Sequence, residues 1–164
     1  MRASKDIVLK CWDDFGKSFG RYYHPVECYH CEGAKTLLLT MGSFSETAMA
    51  TVDKMRGEGE DIGLIRLRLW RPFPFEELRQ AVSGAETLIV VDRALSFGGP
   101  GGPVCSEIKS ALYNQDKKPK IVNFVAGLGG RDITVEGFES MVNRGKEIAQ
   151  TGSDQEYETF GVRE

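Results

Sequence analysis

Four stretches of this 164-residue chain carry residues whose types and spacing could do chemistry. The first is His24, Cys28, His30 and Cys31, in which Cys28-Tyr-His-Cys31 is a C-x-x-C. Thiolates ligate metals and attack disulfides, so the pair invites a metal or redox reading. Structural zinc, however, normally takes two ligand pairs set about a dozen or more residues apart. Here all the candidates crowd together, and the motif runs into Glu32-Gly33 rather than opening a helix. Cys28 and Cys31 therefore stand as candidate ligands of a minor reading, and the expectation is that no metal is bound.

The other three stretches are loops. Ser96-Phe-Gly-Gly-Pro-Gly-Gly-Pro103 places Gly98, Gly99, Gly101 and Gly102 ahead of a helix start at Pro103. Glycines let a backbone approach another surface closely, and a helix start offers N–H groups to an anion. The register is not a dinucleotide fingerprint, because Val104 falls where a third glycine is needed, and no Gly-Lys-Ser/Thr is present. Gly127-Leu-Gly-Gly-Arg131-Asp132 sets Gly129 and Gly130 beside Arg131, whose planar fork suits carboxylates and phosphates. The pair Gly42-Ser43 forms the third loop. Packing against a neighbouring domain or subunit is the preferred reading of these loops, with a phosphate cradle as the alternative. Asp92-Arg93 reads as a strand-end pair, either in a site or in a local salt bridge. Both histidines lie in one short stretch, so acid–base catalysis lacks its usual agent at the loops.

Such loops need a scaffold, and the hydrophobic pattern supplies one. Lys35–Met41 is a continuous apolar run, the mark of a strand buried on both faces, and Ile62–Leu69, Thr87–Val91 and Lys120–Ala126 read as further strands. Between them lie helical patterns. Phe44, Ala48, Val52 and Met55 share one face; Val104, Ile108, Ala111 and Leu112 another; Val135, Phe138, Met141 and Val142 a third. A short helix follows Pro72-Phe-Pro-Phe75 and runs through Val82. Ser43-Phe-Ser-Glu46 has capping-box spacing, Pro103 suits a first helical position, and Thr134 an N-cap. Strands alternating with helices predict a three-layer α/β/α domain with mostly parallel crossovers. Residues 1–20 read as a helix or linker from a preceding domain, capped by Ser4, stopped by Gly20, and apolar along Ile7, Val8, Cys11, Phe15 and Phe19. Residues 21–27 read as an edge strand, 21–150 as the core domain, and 151–164 as an acidic tail, disordered or ordered on a partner.

Net charge is −3, and the last fifteen residues carry all of it, four carboxylates against Arg163. A neutral body without a basic stripe argues against nucleic acid. No apolar run reaches the roughly 20 residues of a membrane span, and residues 1–6 lack a signal-type apolar region. Four cysteines, Cys11, Cys28, Cys31 and Cys105, are too few and too uneven for a disulfide framework. The expected setting is reducing and cytoplasmic.

Met41-Gly-Ser-Phe-Ser-Glu-Thr47, the run from Gly63 to Pro74 and Gly127-Leu-Gly-Gly-Arg-Asp132 together resemble one family. It is core domain II, at the C-terminal part of the α subunit of pyruvate:ferredoxin and related 2-oxoacid:ferredoxin oxidoreductases, with a fold like the transketolase C-terminal domain. The resemblance extends to the glycine loop after Val91-Asp92-Arg93 and covers residues 15–148. It implies a mixed five-stranded sheet whose first strand is antiparallel to the rest. It also implies a parent enzyme that oxidatively decarboxylates a 2-oxoacid onto coenzyme A. That enzyme uses thiamine diphosphate and magnesium and passes electrons through iron–sulfur clusters to ferredoxin. No Gly-Asp-Gly diphosphate motif and no Cys-x-x-Cys-x-x-Cys-x-x-x-Cys cluster motif occurs here. The chain is accordingly expected to be a scaffold and subunit-contact domain, cut from an oligomeric complex, inactive and without bound cofactor alone. The runner-up is a free-standing anion or small-molecule binder built on the glycine loops.

Overall fold

The computed structural model describes residues 3–162. Strands β1 (Val26–Tyr29), β2 (Thr36–Thr40), β3 (Ile62–Leu67), β4 (Thr87–Asp92), β5 (Lys120–Ala126) and β6 (Glu158–Phe160) form one sheet in the order β1-β3-β2-β4-β5-β6. β1 runs antiparallel to β3, and every other neighbouring pair is parallel. Helices α1 (Ser4–Phe19), α2 (Ser45–Gly57), α3 (Phe75–Ala81), α4 (Pro103–Leu112) and α5 (Val135–Thr151), with a short 3-10 turn at Leu128–Gly130, complete the described elements. The three-layer fold and the antiparallel first strand are as predicted.

Alternation along each strand divides the core in two. Leu38, Leu64, Ile89, Val91 and Phe124 face α2 and α5, where Phe44, Phe138, Met141 and Val142 meet them. Leu37, Leu39, Ile65, Leu67, Leu88 and Val90 point the other way, onto Leu78 of α3 and Ile108 and Leu112 of α4. Every residue of β2 is buried, which explains its unbroken apolar run. α5 lies so close to the sheet that a Cβ on Gly145 would stand 2.7 Å from Ile89 Cδ1.

Five features differ from the sequence reading. The sheet has six strands, not five, because part of the tail pairs with β5 in the register Phe124↔Glu158 to Ala126↔Phe160. Arg144 of α5 holds Glu158 by an ion pair, so an acidic segment is compatible with an edge that offers a cation. The first strand starts at Val26 rather than Arg21: Pro25 lies just outside it, its carbonyl accepting from the N–H groups of Arg68 and Leu69. α2 begins at Ser45 after Phe44, and no side chain caps it; Thr40 and Ser45 share a buried hydroxyl bond of 2.8 Å instead. Ser4 lies inside α1, whose N-cap is Ala3. Finally, much of the apolar face of α1 stays open, with Val8 and Phe15 half-buried and Phe15 stacked on Tyr23. Only Gly16 of that helix is buried, while Ile7 and Phe19 are 65% and 64% exposed. The faces of the sheet are already covered by the other helices, so α1 holds on at its margins, through Lys5–Glu77 and through Tyr22 lying over Gly16.

Leu38 is fully buried in the centre of β2. Leu38→Ala is expected to destabilise the domain by about 2–5 kcal/mol in chemical denaturation. A loss under about 1 kcal/mol would contradict its place in a close-packed core.

Candidate functional site

The parallel strands β2 to β5 end on one edge of the sheet, where open α/β folds bind ligands. β2 is flanked by β3 on one side and β4 on the other, so chain direction across the sheet reverses between β2 and β4. The loops Gly42-Ser43, Arg71–Pro74, Ser96–Gly102 and Gly127–Asp132 all emerge along this edge. Gly42 (φ 97°), Gly98 (φ 68°) and Gly129 (φ 69°) occupy left-handed conformations that these tight exits require.

Behind the Ser96–Gly102 loop is a polar lock. Asp92, at the end of β4, is 1% exposed. Its Oδ1 accepts from the N–H of Val104 at 2.8 Å and its Oδ2 from that of Cys105 at 3.1 Å, at the first turn of α4. Asn123 of β5 donates from Nδ2 to Asp92 Oδ2 at 3.0 Å and to Val90 O at 3.1 Å, and its Oδ1 accepts from Gly102 N–H at 2.9 Å. Burial raises the Asp92 carboxyl above its ordinary range, and the three donors pull it back. Thus the helix-start N–H groups that the sequence offers to an external anion are engaged by the protein's own carboxylate. The phosphate cradle is filled from within.

The same lock explains two of the glycines. A Cβ on Gly102 would stand 2.1 Å from Asp92 Cγ, and one on Gly101 would stand 2.6 Å from Asn123 Oδ1. Both residues are buried, so they close the loop onto the strands rather than present it outward. Gly98 is exposed, Gly99 half-buried, and Phe97 projects fully into solvent at 101% relative exposure.

The remaining candidates gather near the ends of β2, β4 and β5. Gly42, Ser43, Gly129, Gly130 and Arg131 are exposed. Arg93 lies over the Phe44 ring, 5.6 Å from its centroid, and its Nη2 reaches Arg131 O at 3.4 Å. Arg131 donates to the carbonyl of Gly161, just beyond β6. Asp92 and Arg93 therefore diverge: the carboxylate turns inward to α4, the guanidinium outward. Along the same edge Arg71 grips Glu107 of α4 with both guanidinium nitrogens.

The cysteine motif sits elsewhere. Cys28 lies in β1 opposite Ile65, at the far edge of the sheet, and Cys31 follows a bend. His30 faces α2, its Nε2 3.5 Å from Asp53, so it does not join the thiols. Among the described residues no three histidine, cysteine or acidic side chains converge as metal ligands. Cys105 is buried on the inner face of α4. These residues do not fit a four-thiolate cluster or a diphosphate–magnesium site.

The Asp92–Asn123 lock escaped the sequence reading, although Asn123 is the one polar residue inside Ile121-Val-Asn-Phe-Val-Ala126. Asp92→Ala leaves the Val104 and Cys105 N–H groups without their acceptor and removes one of the acceptors of the Asn123 amide. A loss of about 2–4 kcal/mol is expected in chemical denaturation, and an unchanged midpoint would refute the lock. Elemental analysis of the purified chain is expected to find no stoichiometric zinc or iron. One zinc per chain that disappears in a Cys28→Ser/Cys31→Ser variant would reverse that expectation.

Comparison with known proteins agrees with this architecture. The family model described as pyruvate:ferredoxin oxidoreductase core domain II matches residues 34–138. The pyruvate synthase subunit PorA of Thermotoga maritima is 39% identical over 168 residues, covering 100% of this chain and 41% of the relative. That of Pyrococcus abyssi is 34% identical over 152 residues, covering 93% of this chain and 38% of the relative. The ketoisovalerate oxidoreductase subunit VorA of Pyrococcus horikoshii is 34% identical over 162 residues, with 98% and 41% covered. The chain thus spans about two fifths of the length of these relatives. Among solved structures, a 2-oxoglutarate:ferredoxin oxidoreductase from Magnetococcus marinus, with 2-oxoglutarate, coenzyme A and succinyl-CoA bound, shares the fold. Its TM-score is 0.54 at 20% identity, covering 92% of this chain and 24% of that one. A domain-length family match and relatives aligned along nearly the whole chain give one answer: this chain belongs to the pyruvate:ferredoxin oxidoreductase core domain II family.

Proposed function

We propose that the chain is a scaffold and subunit-contact domain of a thiamine diphosphate-dependent 2-oxoacid:ferredoxin oxidoreductase. The parent enzyme would decarboxylate a 2-oxoacid such as pyruvate oxidatively, with coenzyme A as acyl acceptor and ferredoxin as electron acceptor. The observation that carries this reading is the match of the whole chain to about two fifths of PorA-type subunits. Two features of the surface support it. The carboxyl-edge loops expose Phe97, Gly42, Ser43, Gly129, Gly130 and Arg131, and Gly42 and Ser43 line an open groove of about 460 Å³ with Trp12, Arg66 and Arg68. An aromatic side chain standing free at a loop tip, and the exposed Ile7 and Phe19 of α1, are the kind of surface that neighbouring domains bury. The alternative, a free-standing anion binder, loses its main support because Asp92 occupies the first turn of α4.

In this reading thiamine diphosphate, magnesium and the iron–sulfur clusters are held by other parts of the complex. Residues 1–20 would link this domain to the preceding one, and residues 21–150 would make up its body. Titration calorimetry of the chain with thiamine diphosphate and magnesium is expected to give no binding heat, and the chain alone no pyruvate-dependent ferredoxin reduction. Micromolar cofactor binding by the chain would refute the scaffold reading. In the reassembled complex, Phe97→Ala and Arg131→Ala are each expected to weaken assembly by about tenfold or more, roughly 1.4 kcal/mol. Normal assembly of either variant would remove that residue from the interface.

A further inference from the structure

We propose that Cys28 and Cys31 form a peroxide-reactive dithiol that closes to a disulfide at the outer edge of β1, a modification site separate from the carboxyl-edge loops. The two cysteines are three residues apart across a bend, and the bend is a built feature. His30, between them, holds a left-handed φ of 52°, a conformation rare for a side chain with a Cβ. It is anchored from the opposite layer: His30 approaches Asp53 of α2, and Tyr29 Oη donates to the same carboxylate at 2.7 Å. Beneath the bend β3 has Gly63, where a Cβ would stand 2.6 Å from His30 O and 2.8 Å from Cys31 Cα. Only a glycine admits the bend this close to the sheet.

The thiols differ as a redox pair requires. Cys28 is exposed and Cys31 half-buried. Cys31 Sγ donates to Leu64 O at 3.2 Å, with Tyr29 O 3.7 Å away. The neighbouring Cys31 thiol brings that of Cys28 down to about 7, while Cys28 and burial raise that of Cys31. The lowered thiol of Cys28 favours its thiolate form, and Cys28 opens on a groove of about 1030 Å³ whose walls include His24, Glu32 and Arg68. Two thiols with no third donor suit disulfide chemistry better than metal ligation.

In the first step the Cys28 thiolate attacks one oxygen of a hydroperoxide. The S–O bond forms as the O–O bond breaks, leaving a sulfenic acid, and the departing oxygen takes a proton and leaves as water or an alcohol. Cys31 then attacks the sulfenic sulfur. The S–S bond forms, the S–O bond breaks, and a water leaves with the Cys31 proton. Two electrons pass from the dithiol to the peroxide, and a small-molecule thiol restores the reduced pair.

The test treats the 164-residue chain with equimolar hydrogen peroxide and maps the thiols by mass spectrometry. The tryptic peptide Tyr22–Lys35 contains both cysteines, and Cys11 is an exposed thiol in the same chain for reference. The expected result is a Tyr22–Lys35 peptide two hydrogens lighter, restored by dithiothreitol. In Cys31→Ala, dimedone should trap a sulfenic acid on Cys28, and iodoacetamide should alkylate Cys28 roughly threefold more slowly at pH 7 because the hydrogen-bond donor is gone. In Cys28→Ala, Cys31 should resist peroxide. Oxidation of Cys11 with the Tyr22–Lys35 peptide unchanged would overturn the proposal, as would equal peroxide sensitivity of Cys31 in Cys28→Ala. Circular dichroism of each variant shows that the sheet persists.

Discussion

A buried carboxylate at the end of β4 ties three elements together. Asp92 accepts from the first turn of α4 and from Asn123 of β5, while Asn123 holds Gly102 through its other atom. A charge sequestered from water is costly unless it is matched by donors, and here two main-chain N–H groups and one amide match it. The helix dipole adds to the match, since α4 presents its positive end to the carboxylate. Removing any partner would strand the rest. This makes the lock a constraint on the path of the glycine loop and not merely one contact among many.

Much of the carboxyl edge follows from that constraint. Because Gly101 and Gly102 must lie flat against Asn123 and Asp92, the slack of the loop is confined to Ser96–Pro100, and Phe97 is carried outward at its tip. Arg93, the neighbour of Asp92, is turned to the opposite side, where it covers Phe44 and meets the Arg131 carbonyl. The edge that in many open α/β sheets receives a phosphate is here closed by an internal anion, while its outer rim stays available to a neighbouring surface.

The two ends of the chain obey a different rule. Neither has enough apolar surface to build a layer of its own, so each attaches to a margin of the finished sheet. β6 takes the unpaired edge of β5, supported by Arg144 on Glu158 and by Arg131 on Gly161. α1 leans on α3 through Lys5–Glu77 and on Tyr23 through Trp12 and Phe15, and leaves Ile7 and Phe19 exposed. Margins held by ion pairs and a few hydrogen bonds are weaker than the two central layers, since exposed pairs contribute little net stability.

The sequence alone determined the layers. Apolar runs at Leu37–Leu39 and Leu88–Val91, and the stretch Val122–Ala126 broken only by Asn123, can be buried only between two helical layers, and the period of the intervening segments placed those helices and their inner faces. It also set Pro103 and Thr134 at their helix starts, Thr134 accepting from Gly137 N–H at 3.1 Å, because those signals act within one turn of chain. The short motifs Met41–Thr47, Gly63–Pro74 and Gly127–Asp132 carried the family resemblance in the same local way. What only the tertiary structure decided are the interactions between residues distant in sequence. Asp92 and Asn123 are 31 residues apart, and neither residue type reveals its partner until β4 and β5 lie side by side. The sixth strand was hidden for the same reason: Glu158-Thr-Phe160 is short and acidic, and pairs because β5 leaves an open edge with Arg144 beside it. Local signals fix what a segment is. Burial and pairing across the sheet fix what it touches, because those free energies exist only once the surfaces have met.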